Sequence, residues 1–443
     1  MRQYPLALAL IAAAALTGCG GGTGSSAGDQ SPKLKFTSQV SFGDSLSDVG
    51  TYAVGAVAAL HGGKYTVNSL TPSAQNWTEL LAVSLGLPAP CAAQTGLGGF
   101  SDVQLASQPQ LAPLAALSAQ GFAVTPALHS GCTSYAQGGA RVTLPLGPGS
   151  AALDPALGGS AVLGQLTVPV VTQIQNHLLA VGGKFSGTEV VFMLAGANDV
   201  FVQLATLNVN ATAAGTAAAT AAVTAAVPAR VASDVGSGLC IPTDLQASNC
   251  VAQAIAELTP TVGASAGAAA GAAYVTNIGG PAAVQAMGQA GAELVGYVNT
   301  LILGNGAKFV TVVNVPDIGT TPFGDSLNAS TLSLVNTMVS TFNAQLQSGL
   351  AGNANVVLVD VNTQSHLNTQ NPAQYGLTNV TTPACDLSAA VNPLASSLVC
   401  TTSSVVAGDV SHYLFADTVH PTPYGYSLLA KYVATQMAIR GWL

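Results

Sequence analysis

The sequence predicts an α/β fold: a doubly wound, parallel sheet with helices on both faces. Two observations carry this expectation. Apolar runs rich in β-branched residues alternate with helical patterns along the chain, and such alternation marks strand–helix–strand units. The runs are continuous, not every-other-residue, which suits strands buried on both faces. Composition is compatible with this. Lys, Arg, Asp and Glu make up only 6% of 443 residues, against 49% hydrophobic. That excludes a charged disordered tail or a coiled coil with charged flanking positions. Much of the apolar fraction is Ala, so Ser, Thr, Asn, Gln and Gly must carry the surface.

Residues 36–42 read as the first strand. Residues 189–194 (EVVFML), 308–315 (KFVTVVNV) and 355–361 (NVVLVDV) supply three more. Helices are expected over 77–85, 170–181, 333–350 and 424–439. Residues 205–292 exceed what such a fold needs, with AGTAAATAAVTAA and GASAGAAAGAA among them. Their Thr, Asn and Gly make a membrane span a poor reading. We expect an inserted pair of Ala-rich helices that holds a loop between Cys240 and Cys250; its role is open between a lid over the site and inert packing on the domain, with packing favoured.

Arg2 precedes an apolar run over 6–16, too short to span a bilayer and suited to the core of a signal peptide. The run ends in Leu16-Thr17-Gly18-Cys19, which resembles the lipobox of a bacterial lipoprotein. The resemblance implies a diacylglyceryl thioether on Cys19, the first mature residue. Gly20, not Asp, follows it, which implies the outer membrane as destination. Residues 1–18 are then a signal peptide, 19–35 a lipid-anchored tether (GGGTGSSAGDQSP is flexible in character), and 36–443 the folded domain with its insert at about 205–292. The anchor would be the chain's link to a membrane. Ten basic residues at net charge −8 are too few for a phosphate-neutralising patch, so no nucleic-acid partner is expected. A monomer is expected.

Setting Cys19 aside leaves Cys91, Cys132, Cys240, Cys250, Cys385 and Cys400. An even number in an exported chain suggests disulfides. Sequential pairing is favoured among the possible connectivities because each neighbouring pair brackets a loop-like segment. No spacing fits a metal site, and HExxH, P-loop and GxGxxG patterns are absent from the sequence, so no metal or cofactor is expected.

Four serines compete as an activated nucleophile. Ser26 and Ser265 are the central serines of two GxSxG matches, but one lies in the tether and the other in the Ala-rich insert. Neither has the strand before and helix after that a nucleophile elbow requires. Ser45 and Ser326 each sit in a Gly-Asp-Ser-Leu string. Only Ser45 directly follows a strand-like run, whereas Ser326 lies in a loop after Thr320-Thr321-Pro322.

The string FGDSLSDVG around Ser45 resembles block I of the SGNH, or GDSL, hydrolases. Three further segments follow in that family's order: Tyr135-Ala136-Gln137-Gly138-Gly139-Ala140-Arg141 is similar to block II, Gly196-Ala197-Asn198-Asp199 to block III, and Asp417-Thr418-Val419-His420-Pro421-Thr422 to block V. Residues 314–322 (NVPDIGTTP) also resemble the family's penultimate strand and loop. The resemblance implies a three-layer α/β/α fold with a flavodoxin-like sheet. It further implies a secreted esterase acting on small-molecule or lipid esters, of the phospholipase/lecithinase/hemolysin type. Ser134 stands where many relatives carry Asn.

The chemistry asks for the same residue types. A serine hydroxyl needs a base to take its proton; His420 is the natural one, and Asp417 can fix its tautomer. The oxyanion needs preset donors. By resemblance these are the Ser45 and Gly139 backbone N–H groups and the Asn198 amide, with Gly138 the alternative to Gly139. Read alone, Asn198 could cap a helix opening at Asp199, and Asp417 and His420 could be ordinary loop residues. Asp44 and Asp48 are expected to hold the Ser45 loop by hydrogen bonds. His61, His129, His177, His366 and His412 match no motif and are expected to be structural. Two other readings use the same residues or none of them: an acyltransferase or carbohydrate deacetylase, and a non-catalytic surface-binding lipoprotein.

Overall fold

A computed structural model describes residues 34–69, 76–97, 124–149, 167–240 and 247–443. The signal peptide, Cys19 and Ser26 lie outside the described residues.

The strands are β1 (Gln39–Gly43), β2 (Gln94–Leu97), β3 (Val124–Leu128), β4 (Val190–Leu194), β5 (Phe309–Val313) and β6 (Val356–Val359). The helices are α1 (Gly55–Ala59), α2 (Trp77–Ser84), α3 (Val170–Ala180), α4 (Ala197–Gly236), α5 (Ala247–Leu258), α6 (Ala264–Tyr274), α7 (Gly280–Tyr297), α8 (Pro322–Asp325), α9 (Ala329–Leu350), α10 (Val361–Gln370) and α11 (Pro423–Ile439). The protein is an α/β three-layer sandwich. Strands β1, β4, β5 and β6 form a parallel sheet in the order β1-β4-β5-β6. On the free side of β1, Ser41 makes a parallel bridge to Ser134, with Ser41 N–H donating to Thr133 O and Tyr135 N–H to Ser41 O. This extended segment takes the position of a fifth strand. Strands β2 and β3 form a separate antiparallel pair.

Burial on both faces follows from the two-residue period of the strand. Val191 and Met193 of β4 join Val40, Phe42, Val310 and Val312 in a core closed by α3, α7 and α9. Val190, Phe192 and Leu194 point the other way, onto Trp77 and Leu81 of α2 and Tyr426, Leu429 and Val433 of α11. Each such side chain, moved from water to this interior, contributes about 1.5–3 kcal/mol.

The register aligns the ends that matter. Gly43 of β1 pairs with Leu194 of β4, and Leu194 with Val313 of β5. The loops that follow these strands therefore leave the sheet at one edge, the usual ligand side of an open parallel sheet. Gln173 of α3 clamps that edge: its amide accepts from Gly43 N–H and donates to Gly43 O, both at 2.8 Å.

The Ala-rich region differs from a simple inserted pair. Helix α4 begins at Ala197, eight residues before the expected start, and runs unbroken for 40 residues. The chain returns as α5, α6 and α7, with π-helical turns at Thr259–Gly263 and Val275–Gly279. Small residues make this packing close. A Cβ on Gly215 of α4 would lie 2.9 Å from Gly267 O of α6, so the backbones touch where larger residues would separate them. By length and composition alone, α4 could cross a membrane. Its first turn, however, is part of the loop cluster at the sheet edge.

Candidate active site

The loop after β1 carries Ser45, and the segment before α11 carries Asp417 and His420. Although 375 residues apart, His420 Nε2 and Ser45 Oγ lie 2.8 Å from each other. Behind the ring, His420 Nδ1 lies 2.8 Å from Asp417 Oδ2 and 2.9 Å from Oδ1. Three residues suffice to deliver both groups because Asp417 closes its own turn. Its Oδ1 accepts from the N–H groups of Val419 and His420 at 3.0 and 2.8 Å. Its Oδ2 also accepts from Ser397 N–H at 2.9 Å. Burial alone would raise the Asp417 pKa. The facing His420 and the hydrogen bonds from His420, Ser397 and Val419 outweigh it and hold the carboxyl well below the usual range. Tyr65 covers the imidazole, ring centroids 4.7 Å apart, and is fixed by Tyr426 Oη donating to Tyr65 O.

The Gly138–Gly139 loop lies at the end of β1, where Gln137 N–H donates to Gly43 O at 3.1 Å, and the first turn of α4 packs on that loop. Asn198 is the second residue of α4, past its N-cap Gly196, so it does not cap the helix. Its amide donates to Ala140 O at 2.9 Å, which holds it against the Gly138–Gly139 loop. Gly139 has φ +79°, a conformation costly for residues with a Cβ. The two glycines differ in their N–H groups: Gly138 N–H donates to Asp48 Oδ2 at 2.9 Å. The Ser45 and Gly139 N–H groups make no hydrogen bond among the described residues.

A polar frame holds these loops in register. Asp48 Oδ1 accepts from Gly50 N–H and Thr51 N–H at 2.8 and 2.7 Å, and Tyr52 Oη donates to Gly138 O. Arg141 Nε donates to Asp199 Oδ1 at 2.8 Å, and Val142 N–H to Asp199 Oδ2 at 3.0 Å. This buried pair ties the glycine loop to the first turn of α4. Asp44 is also buried. Its Oδ1 accepts from Leu46 N–H, Oδ2 has no partner, and burial pushes its pKa up to about 7.

The other serines are elsewhere. Ser326 is exposed, ends the short helix α8 and donates to Phe323 O; Ser265 lies in α6. Three disulfides link Cys91 with Cys132, Cys240 with Cys250, and Cys385 with Cys400. No group of three or more metal-ligating side chains occurs among the described residues.

Sequence reasoning named the Ser, His, Asp, Asn and Gly but missed Ser397, Tyr65 and Gln173. A backbone N–H donor such as that of Ser397 leaves no trace in residue type. Tyr65 and Gln173 are brought in by the fold, with no local spacing to announce them.

Residues 273–433 match the family model described as GDSL-like Lipase/Acylhydrolase. The matched span includes β5, β6, Asp417 and His420, and it supports the SGNH/GDSL family and an ester-hydrolase type of chemistry. Ser45, Gly139 and Asn198 precede it. A search of curated proteins returned no significant match.

Proposed function

We propose that the chain is a serine esterase acting on carboxylic esters through an acyl-enzyme at Ser45. The observation that carries this reading is the continuous line from Ser45 Oγ through His420 to Asp417, with two unspent N–H groups and one amide beside it. An ionised Asp417 only accepts, so Nδ1 of His420 carries the ring proton and Nε2 is free to take the Ser45 proton. Ser45 Oγ attacks the acyl carbon, and the carbonyl oxygen takes the negative charge. Ser45 N–H, Gly139 N–H and the Asn198 amide then stabilise that charge. Collapse expels the alcohol, which takes the proton from His420. Water then attacks the acyl-enzyme with His420 as base again, releasing the acid and restoring Ser45. A panel of aryl esters tested on wild type and Ser45→Ala decides the matter: hydrolysis should be present in the first and absent in the second. Equal activity in both would refute the reading.

The signal-like N-terminus supports a second part of the proposal, that export ends in lipid attachment at Cys19 and retention at the outer membrane.

A further inference from the structure

We infer that the groove between α4, α7 and α9 is the binding site for a long acyl chain, so that the preferred substrates are long-chain esters. The inference rests on the serine-esterase reading and extends it to the substrate class.

The groove has a volume of about 1100 Å³. Its floor is made by Phe201 and Leu204 of α4, Val284 of α7, Phe323 and Leu327 at α8, and Leu334 of α9. All six are half-buried and rest on the main core. No charged side chain lines the groove among the described residues, and its polar members are neutral amides and hydroxyls such as Asn208, Gln285 and Thr331. Such a surface offers nothing to an ionic headgroup and suits a hydrocarbon.

Its inner end borders the candidate active site on two sides. Phe201 lies one turn beyond Asn198 on the same helix. Phe323 N–H donates to Thr418 O at 2.9 Å, in the segment between Asp417 and His420. The two rings meet edge to face with centroids 5.3 Å apart. An acyl carbonyl held at Asn198 therefore has its chain beginning at the Phe201–Phe323 pair. From Phe201 to Ala211 the wall of α4 runs about 15 Å at 1.5 Å per residue. An extended alkyl chain with C–C bonds of about 1.5 Å covers that distance in roughly twelve carbons. Each methylene moved from water into the groove is worth about fourfold in affinity. The Ala-rich region thus supplies a wall of the substrate site as well as bulk packing.

The test compares kcat/KM on p-nitrophenyl acetate, butanoate and dodecanoate for wild type, Ala205→Trp and Leu334→Trp, with folding checked by thermal melting. Ala205 of α4 and Leu334 of α9 both line the groove, so the two indoles enter it from different helices. Wild type should prefer dodecanoate over butanoate. Both variants should retain acetate and butanoate activity within about twofold and lose dodecanoate activity by about tenfold or more. In parallel, Ser45→Ala protein should bind the fluorescent fatty acid cis-parinaric acid, and adding Leu334→Trp should abolish binding. Chain-length profiles unchanged in both folded variants, or a uniform loss on all three esters, would overturn the groove while leaving the esterase reading in place. No hydrolysis by wild type, together with groove-dependent binding of cis-parinaric acid, would sink the esterase reading alone.

Discussion

Asp48 Oδ2 accepts the N–H of Gly138 at 2.9 Å, whereas the neighbouring Gly139 N–H makes no hydrogen bond among the described residues. A carboxylate on the Ser45 loop is thereby tied to a loop 90 residues away, the one that carries the proposed Gly139 donor. Asp48→Asn places an amide hydrogen or a weaker acceptor against Gly138 N–H and lets the loop move. We expect kcat to fall by about 10- to 100-fold with KM nearly unchanged, because misplacing an oxyanion donor acts on the transition state. A loss confined to KM would show that Asp48 does not position that donor.

Replacing the proposed reacting groups should have a sharper effect. Ser45→Ala and His420→Ala should each abolish ester hydrolysis while melting close to wild type, because the pair works as a unit. Asn198→Ala should lower kcat by about 10²-fold or more. Ser326→Ala is the control and should be silent. Loss of activity in that variant, with Ser45→Ala active, would move the nucleophile to α8.

The Cys385–Cys400 disulfide braces both sides of Asp417. Cys385 N–H donates to Ala416 O at 2.9 Å, and Ser397, three residues before Cys400, donates to the Asp417 carboxylate. Opening this 15-residue loop should cost roughly 3 kcal/mol of stability. Activity should fall at temperatures and denaturant concentrations where the far-UV spectrum is still native. Serine replacements at Cys240 and Cys250 should leave turnover of small esters unchanged. The comparison fails if both pairs of replacements affect turnover equally.

Asp44 makes stability depend on pH. Its folded pKa, about 7, lies above the ordinary value of 3.8, so the folded state prefers the protonated form. The associated stability is complete below about pH 4 and is lost as pH rises to about 7, by about 4 kcal/mol at most. Asp44→Asn cannot ionise and should escape this loss. Relative to the variant, wild type should therefore be less stable at pH 7.5 than at pH 4.5, as read by urea midpoints at both values. A constant difference would show that Asp44 is ionised throughout.

Cys19→Ser should abolish incorporation of labelled fatty acid and release the protein from the membrane fraction or leave it as precursor. Equal fractionation of both forms would remove the anchor without touching the chemistry.

The centres of β4 and β6 were legible as uninterrupted apolar runs, and those of β1 and β5 as β-branched and aromatic runs with only Gln39, Ser41 and Thr311 interrupting them. Their ends were not. Residues 355–361 read as one strand, yet Asp360 accepts from Thr363 N–H and opens α10, so Val361 begins a helix. Likewise Asn328 caps α9, which begins at Ala329, four residues ahead of the expected start at Ser333. Caps are single side-chain decisions that an apolar pattern overlooks. At the site, the motifs around Ser45, Asn198 and His420 carried residue types and order. The polar frame of Asp48, Arg141 and Asp199 depends on loops meeting in space, and only the hydrogen-bonding role of Asp48 was readable in advance. The junction of α4 was misjudged for a similar reason: the Ala-rich composition begins near 205, but helix continues backward through less distinctive residues to Ala197.

That continuity has an architectural consequence. Asn198 sits at the root of a helix about 60 Å long at 1.5 Å per residue, so the long arm and this side chain belong to one continuous helix, with Pro228 only in its distal part. Lengthening or trimming the arm at its far end, in whole turns, changes its reach without rotating its base. A lineage carrying this fold can remodel that projection, and with it the surroundings in which the protein works, while the geometry around Ser45 stays as it is.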